Sequence, residues 1–151
     1  WTCEGANGGS NVSCQASGSY CGDGIVGTGI GYTTQEQCDM GTGNGNNGTC
    51  SASCQRVVPT CPADLSFTPS NGVVPLTVTG RWTLTTGALA LQLNWQSGSV
   101  IPNPSSGASH VYSSTGIFNP VLTIANAINT GIQQNCAGVV VATDVPMQGI
   151  C

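Results

Sequence analysis

The side chains able to do chemistry are few: nine cysteines, six carboxylates, two arginines and one histidine in 151 residues. Six cysteines, Cys3, Cys14, Cys21, Cys38, Cys50 and Cys54, fall in the first 54 positions. They lie among Gly, Asn and Ser rather than histidines, the setting of disulfides in an exported, oxidised protein. Zinc sites favour paired C-x-x-C knuckles, and the one close pair here is Cys50 and Cys54. The sequence starts at Trp1 without a charged-then-apolar leader, so any export signal is expected to have been removed or to lie outside it. His110 has Asp64 and Asp144 as its nearest acids in sequence, and neither G-x-S-x-G nor H-E-x-x-H occurs. Glycoside cleavage would need Asp64 and Asp144 to converge from the ends of strands, where solvated or capping acids are ordinary. No catalytic residue is expected, and the chain is read as not an enzyme.

Charge narrows the partners further. Arg56 and Arg81 are the only cations and the net charge is -4, so there is no basic patch for nucleic acid or anionic membrane. Glycine, Ser, Thr and Asn interrupt each apolar run short of a bilayer span, so no membrane insertion is expected. Asp23, Glu36 and Asp39 lie close to cysteines. Hard oxygen ligands on a stapled loop, with Asn44 and backbone carbonyls nearby, would suit Ca2+. The competing role is turn capping, in which such acids accept hydrogen bonds from backbone amides. No other cofactor is indicated. Asn11-Val12-Ser13 and Asn47-Gly48-Thr49 fit the N-glycosylation pattern, making Asn11 and Asn47 acceptor candidates.

The elements that must position these groups change character near residue 60. Up to Gln55 there is almost no apolar periodicity; beyond Cys61 apolar and polar residues alternate as in strands. The boundary falls at Arg56 to Thr60, flanked by Pro59 and Pro62, which disfavour helix. Leu76 to Thr79, Ala90 to Trp95 and Val121 to Ile124 show period-two patterning, and Gly138 to Ala142 reads as a buried β-branched strand. Turn signals stand at Ser70-Asn71-Gly72, Gly87, Gly98, Pro102 to Gly107, and Gly116. With no helical crossover between them, these strands predict an all-β domain of β-sandwich type rather than a parallel sheet.

The second region carries, in order, Pro69-Ser70-Asn71-Gly72-Val73-Val74-Pro75-Leu76-Thr77-Val78, Asn94-Trp95-Gln96-Ser97-Gly98, His110-Val111-Tyr112, Gly116-Ile117-Phe118 and Leu122-Thr123-Ile124-Ala125-Asn126. On these residues it resembles, over residues 62 to 145, the PKD domain, an immunoglobulin-like sandwich. The family's W-x-F-G-D-G has lost its aspartate here, so that acid's role is absent. Trp95 is expected in the core, Tyr112 with its ring inside and its hydroxyl on a backbone group, and His110 as a packing residue beside it.

The first region is similar to the myxobacterial-type cysteine-rich disulfide repeat, through Cys21-Gly22-Asp23-Gly24-Ile25-Val26, Glu36-Gln37-Cys38-Asp39, Gly41, Asn44-Gly45 and Cys50-Ser51-Ala52-Ser53-Cys54-Gln55. Such repeats occur in large exported or cell-surface proteins. The expected organisation is a disulfide-closed arm over residues 1–20, the repeat over 21–55, and the PKD-like sandwich over 61–151. So few large apolar side chains in the first 55 residues cannot offset backbone entropy, so bridges must restrict the unfolded chain. Cys3 is expected to pair with Cys14, and Cys21, Cys38, Cys50 and Cys54 among themselves in one of three connectivities. Cys61 and Cys136, before the first and last strands of the sandwich, are expected to pair. Cys151 is left over, pointing to a bridge to another subunit or to a missing segment.

These readings predict an extracellular or cell-surface structural module that binds copies of itself in a filament, appendage or envelope layer. Few like charges repel, sheet edges offer backbone groups, and the arm from Trp1 to Tyr20 is a candidate bridge to a neighbour. The alternative is an accessory module binding polysaccharide or protein in a secreted or adhesive protein, with Trp1 and Trp82 as candidates for stacking on sugar, although Trp82 in a strand is the commoner core residue.

Overall fold

Alternation beyond residue 65 becomes a set of short strands whose inward side chains share one core. In the computed structural model, residues 2–3, 9–10, 12–13, 20–27, 36–46 and 48–144 are described. The chain forms two compact units, Trp1–Asn46 with Cys50–Arg56, and Asn47–Thr49 with Val57–Cys151. Regular structure among the described residues is all β, apart from a 3-10 turn at Gly41–Gly43.

The small unit begins with a two-stranded ladder, β1 (Thr2–Cys3) against β2 (Val12–Ser13). Beyond it, order comes from sulfur. Cys21 is bridged to Cys54 and Cys38 to Cys50, with Cα separations of 5.6 and 5.9 Å. Cys38, Cys50 and Cys54 are buried and take the place of an apolar core. Their loops, 33 and 12 residues in sequence separation, are worth about 3 to 4 kcal/mol each in the chain-entropy account. The Cys3 side chain, together with Trp1, Asn11, Cys14, Asn47 and Cys151, lies outside the described residues, and with them the expected Cys3 to Cys14 bridge and both glycosylation candidates.

The larger unit carries β3 (Ser66–Thr68), β4 (Asn71–Val73), β5 (Leu76–Arg81), β6 (Ala88–Asn94), β7 (Val100–Pro102), β8 (Ser109–Tyr112), β9 (Gly116–Phe118), β10 (Val121–Asn126), β11 (Asn129–Ala137) and β12 (Val140–Thr143). They form three sheets, ordered β11-β10-β6-β7, β4-β12-β9 and β3-β5-β8. Pairing is antiparallel except for β4 beside β12, which is parallel. β5 shows the expected alternation, with Leu76, Val78 and Gly80 buried and Thr77 and Arg81 exposed. Every residue of β10 after Val121 is buried, because strands flank it on both sides. Cys61 is bridged to Cys136 across 75 residues, Cα to Cα 5.5 Å.

Two turn signals become strand. Ser70-Asn71-Gly72 leads into β4, where Val141 N–H donates to Ser70 O and Val74 N–H to Thr143 O, so pairing with β12 overrides the local turn preference. Gly116 opens β9. The segment Asn47–Thr49, inside the stretch 21–55 expected to form the repeat, belongs to the larger unit, where the buried Asn126 amide donates to Thr49 O at 2.9 Å and Val57 O at 2.7 Å.

At the centre, the Phe67 ring meets Trp95 edge-on with centroids 5.7 Å apart. Gly80 and Gly138 give it room. A Cβ on Gly80 would stand 3.1 Å from Phe67 Cε1, and one on Gly138 would overlap Phe67 Cδ2. Gly138→Ala therefore overpacks the core and lowers unfolding free energy by about 1 to 3 kcal/mol, read as a lower urea midpoint at unchanged slope under non-reducing conditions. Adding Phe67→Leu recovers part of the loss if the ring is the obstacle.

Candidate functional site

Asp39, next to the bridged Cys38, is the hub of the small unit. Its Oδ1 accepts from Gly41 N–H (2.7 Å) and the Asn44 side-chain amide (3.0 Å). Its Oδ2 accepts from Gly22 N–H (2.9 Å) and Asp23 N–H (3.1 Å). Gly22 at φ +107° and Gly41 at φ +59° adopt the left-handed backbone that turns these amides inward. Desolvation pushes the carboxyl upward, but the Gly41 and Gly22 amides, the Asn44 side chain and the Gly24 amide outweigh it and hold Asp39 at about 2.

The neighbouring acids also face amides. Asp23 accepts from Tyr20 N–H and Ile25 N–H. Glu36, 6% exposed, accepts from Gly27 N–H through Oε2, while its Oε1 is buried without a hydrogen-bond partner. Asn44 joins acid to sulfur: Oδ1 accepts from Met40 N–H, and Nδ2 lies 3.0 Å from Cys54 Sγ as well as from Asp39. Glu36, Asp39 and Cys54 do bring a possible ligand atom each within 4.8 Å of one another. Yet Cys54 Sγ is consumed in its bridge, and four N–H donors fill the Asp39 oxygens. A cation at Asp39 would meet the positive ends of those donors, whereas Glu36 Oε1 faces none. Asp23 and Asp39 hold turns through the amides they accept from.

The larger unit gathers Trp95, His110 and Tyr112. Trp95 is fully buried, the His110 ring stacks on it at 5.4 Å, and Tyr112 meets the His110 ring edge-on at 4.7 Å. Tyr112 donates its hydroxyl to Trp95 O at 2.9 Å, and burial raises the phenol to about 12. Burial also lowers the His110 pKa, favouring the neutral ring at pH 7. Ser97 Oγ lies 2.7 Å from His110 Nε2. A hydroxyl beside a neutral imidazole is half of a nucleophilic constellation, but the third group that orients the base is missing among the described residues. What remains ties the turn after β6 to β8.

No family model and no curated protein matches the chain. Trp82, one of the two candidates for stacking on sugar, is a core residue at 6% exposure and presents no free ring face. Hydrogen bonds from the Thr83 side chain and then from Thr83 N–H, 2.9 Å away, lower the Asp64 pKa and give it a turn-holding role. Sequence reasoning placed Asn44 beside the acids only as a possible cation neighbour, and gave Ser97 no role of its own. Asn44-Gly45 carries a recognisable turn signal; Ser97, in the turn between β6 and β7, and His110, in β8 of another sheet, are 13 residues apart, and no local pattern links them.

The outer face of β4-β12-β9 differs from these satisfied interiors. Val140 and Ala142 point into the core, so Val141 and its partners Ile117 and Asn71 face outward, with Val73 opposite Thr143. Ile117 is 71% exposed, Val73 38%, and Val139, just before β12, 56%. None of the three strands contains a charged residue.

The Asp39 geometry sets an acid limit. Its folded pKa lies below the ordinary carboxylate value of 3.8, so its contribution to stability is complete above pH 4 and is lost as pH falls toward about 2. Melting temperature is expected to drop across that window, with a shallower drop in Asp39→Asn. Carbon-13 NMR should place the Asp39 midpoint near 2; a midpoint at the ordinary value would contradict the four-donor cradle.

Proposed function

We propose that the chain is a non-catalytic structural module of an extracellular or cell-surface protein, a cysteine-rich disulfide repeat followed by a PKD-like, immunoglobulin-like sandwich, which assembles with copies of itself. The exposed apolar face of β4-β12-β9 carries the reading. Contiguous exposed apolar patches mark contact surfaces, and this one has no charge to select a charged partner or repel its own copy. Three disulfides support an oxidising environment, and no helix among the described residues is long and apolar enough to cross a membrane. Mostly antiparallel sheets around Trp95, and a Tyr112 hydroxyl bound to a backbone carbonyl, are features that immunoglobulin-like sandwiches share.

Electron microscopy of protein released from cells, with sedimentation of purified material, tests the proposal. Ordered filaments or sheets are expected, with Ile117→Glu reducing assembly while the disulfide pattern stays intact. Monodisperse monomers at high concentration would overturn it.

A further inference from the structure

His110 is the chain's one imidazole, and its Nε2 stands 2.7 Å from the Ser97 hydroxyl. The contact that ties the turn to β8 therefore also sets a base against an alcohol, the first requirement of a serine nucleophile. Triads orient that base with an acid. Here packing takes the acid's part: the ring stacks on the buried Trp95, 20° between planes, and meets Tyr112 edge-on at 83°. Tyr112 is itself pinned through its hydroxyl to Trp95 O, so the aromatic rings that hold the imidazole are fixed by a bond of their own.

The turn that carries Ser97 is built to hold one shape. Trp95 N–H donates to Ser99 O, and between them Gln96 stands at φ +62° and Gly98 at φ +87°. A left-handed glutamine is uncommon, and strain of this kind gathers at functional sites. Asn94 Oδ1 holds it there, accepting from Gln96 N–H at 2.8 Å. Ser97 is exposed and open to a reagent. Gly98 N–H has no acceptor among the described residues, and the amide after a serine nucleophile donates to the developing oxyanion in hydrolase elbows. Burial keeps the imidazole unprotonated at pH 7, and no charged side chain among the described residues opposes it. Tyr112, its titratable neighbour on β8, has a phenol raised to about 12 and stays neutral. On β5, Arg81 is exposed on the face opposite Val78, the ladder partner of His110.

We propose that Ser97 is an acyl-acceptor site, a nucleophile that takes an acyl group from an activated ester or thioester with His110 as general base. The turn from Gln96 to Gly98 carries no cation to hold a phosphate, so a neutral carbonyl is the electrophile that suits it. Ser97 Oγ attacks the carbonyl carbon while its proton passes to His110 Nε2, in the tautomer that bears its other proton on Nδ1. The tetrahedral adduct then expels the alcohol or thiol, which takes the proton from Nε2 and leaves an ester on Oγ. One O–C bond forms, the bond from carbonyl carbon to leaving group breaks, and nothing is oxidised or reduced. The event is stoichiometric, a modification of the chain rather than turnover, and it is independent of the self-assembly reading.

The test treats the full chain with p-nitrophenyl acetate and maps acetyl groups by peptide mass. The absence of lysine leaves no side-chain amine to compete for the reagent. Ser97 is expected to acetylate about tenfold or more faster than the other serines, for which the chain has no second imidazole, and to lose that advantage in His110→Gln. In Ser97→Ala that peptide takes no acetyl group. Circular dichroism checks the fold of each variant. In wild type the Ser97 rate rises as His110 loses its proton, with a midpoint below the ordinary 6.5, and then levels. Acetyl groups spread evenly over exposed serines, or an equally fast Ser97 in folded His110→Gln, overturn the proposal. Should His110→Gln fail to fold, the wild-type pH profile decides: a rate that climbs with hydroxide and never levels overturns it as well.

Discussion

Sulfur bridging is the constraint on which the small unit depends. Its described stretches hold buried cysteines where a larger domain would hold Leu and Ile. Bridges alone fix few dihedrals, and the polar network around Asp39 does the rest. Four donors converge on one carboxylate, and Asn44 spans from that carboxylate to the Cys54 sulfur. Covalent closure brings the turns together, and the acid sets the direction of their amides. Cys54 itself sits at φ +57°, uncommon for a residue with a side chain. Its bridge to Cys21, and the Gln37 and Cys38 amides on its carbonyl, hold it there.

The larger unit uses the opposite strategy. Its core is aromatic and aliphatic, with Trp95 at the junction of Phe67, His110 and Tyr112. The Tyr112 hydroxyl reaches a carbonyl, but Trp95 Nε1 remains buried without a partner. That orphan donor carries an electrostatic penalty, offset by the packing of a large ring on three neighbours. His110 belongs to this packing: its neutral state follows from burial against Trp95, and its contact with Ser97 fixes a turn.

Legibility in the sequence followed the physics of each element. β5, β6 and β10 bury one face or both against the core, so period-two alternation or a continuous apolar run announced them. β11 did not announce itself. Its residues are mostly polar, and it exists because β10 offers a ladder to pair with. β4 was hidden for the same reason, since Asn71-Gly72 favours a turn until β12 supplies partners. The grouping of Cys21, Cys38, Cys50 and Cys54 came from their clustering, but the choice of Cys21 with Cys54 and Cys38 with Cys50 depends on three-dimensional proximity that spacing does not encode. The acids beside those cysteines were legible as a cluster. Whether their oxygens met a cation or amides was decided by glycines that rotate the backbone toward them.

A chain with no lysine and two arginines has given up the commonest means of keeping strands apart. Short strands next to proline take over that role at β3, β4, β7 and β9 and shortness alone at β8, while the long edge strand β11 is interrupted by a register shift and by side-chain caps on Gly131 N–H and Thr130 O. One two-fold contact closes copies into a pair and stops; continued growth needs a second, different contact. The apolar face of β4-β12-β9 carries no charge, so screening by salt would have little hold on association through it.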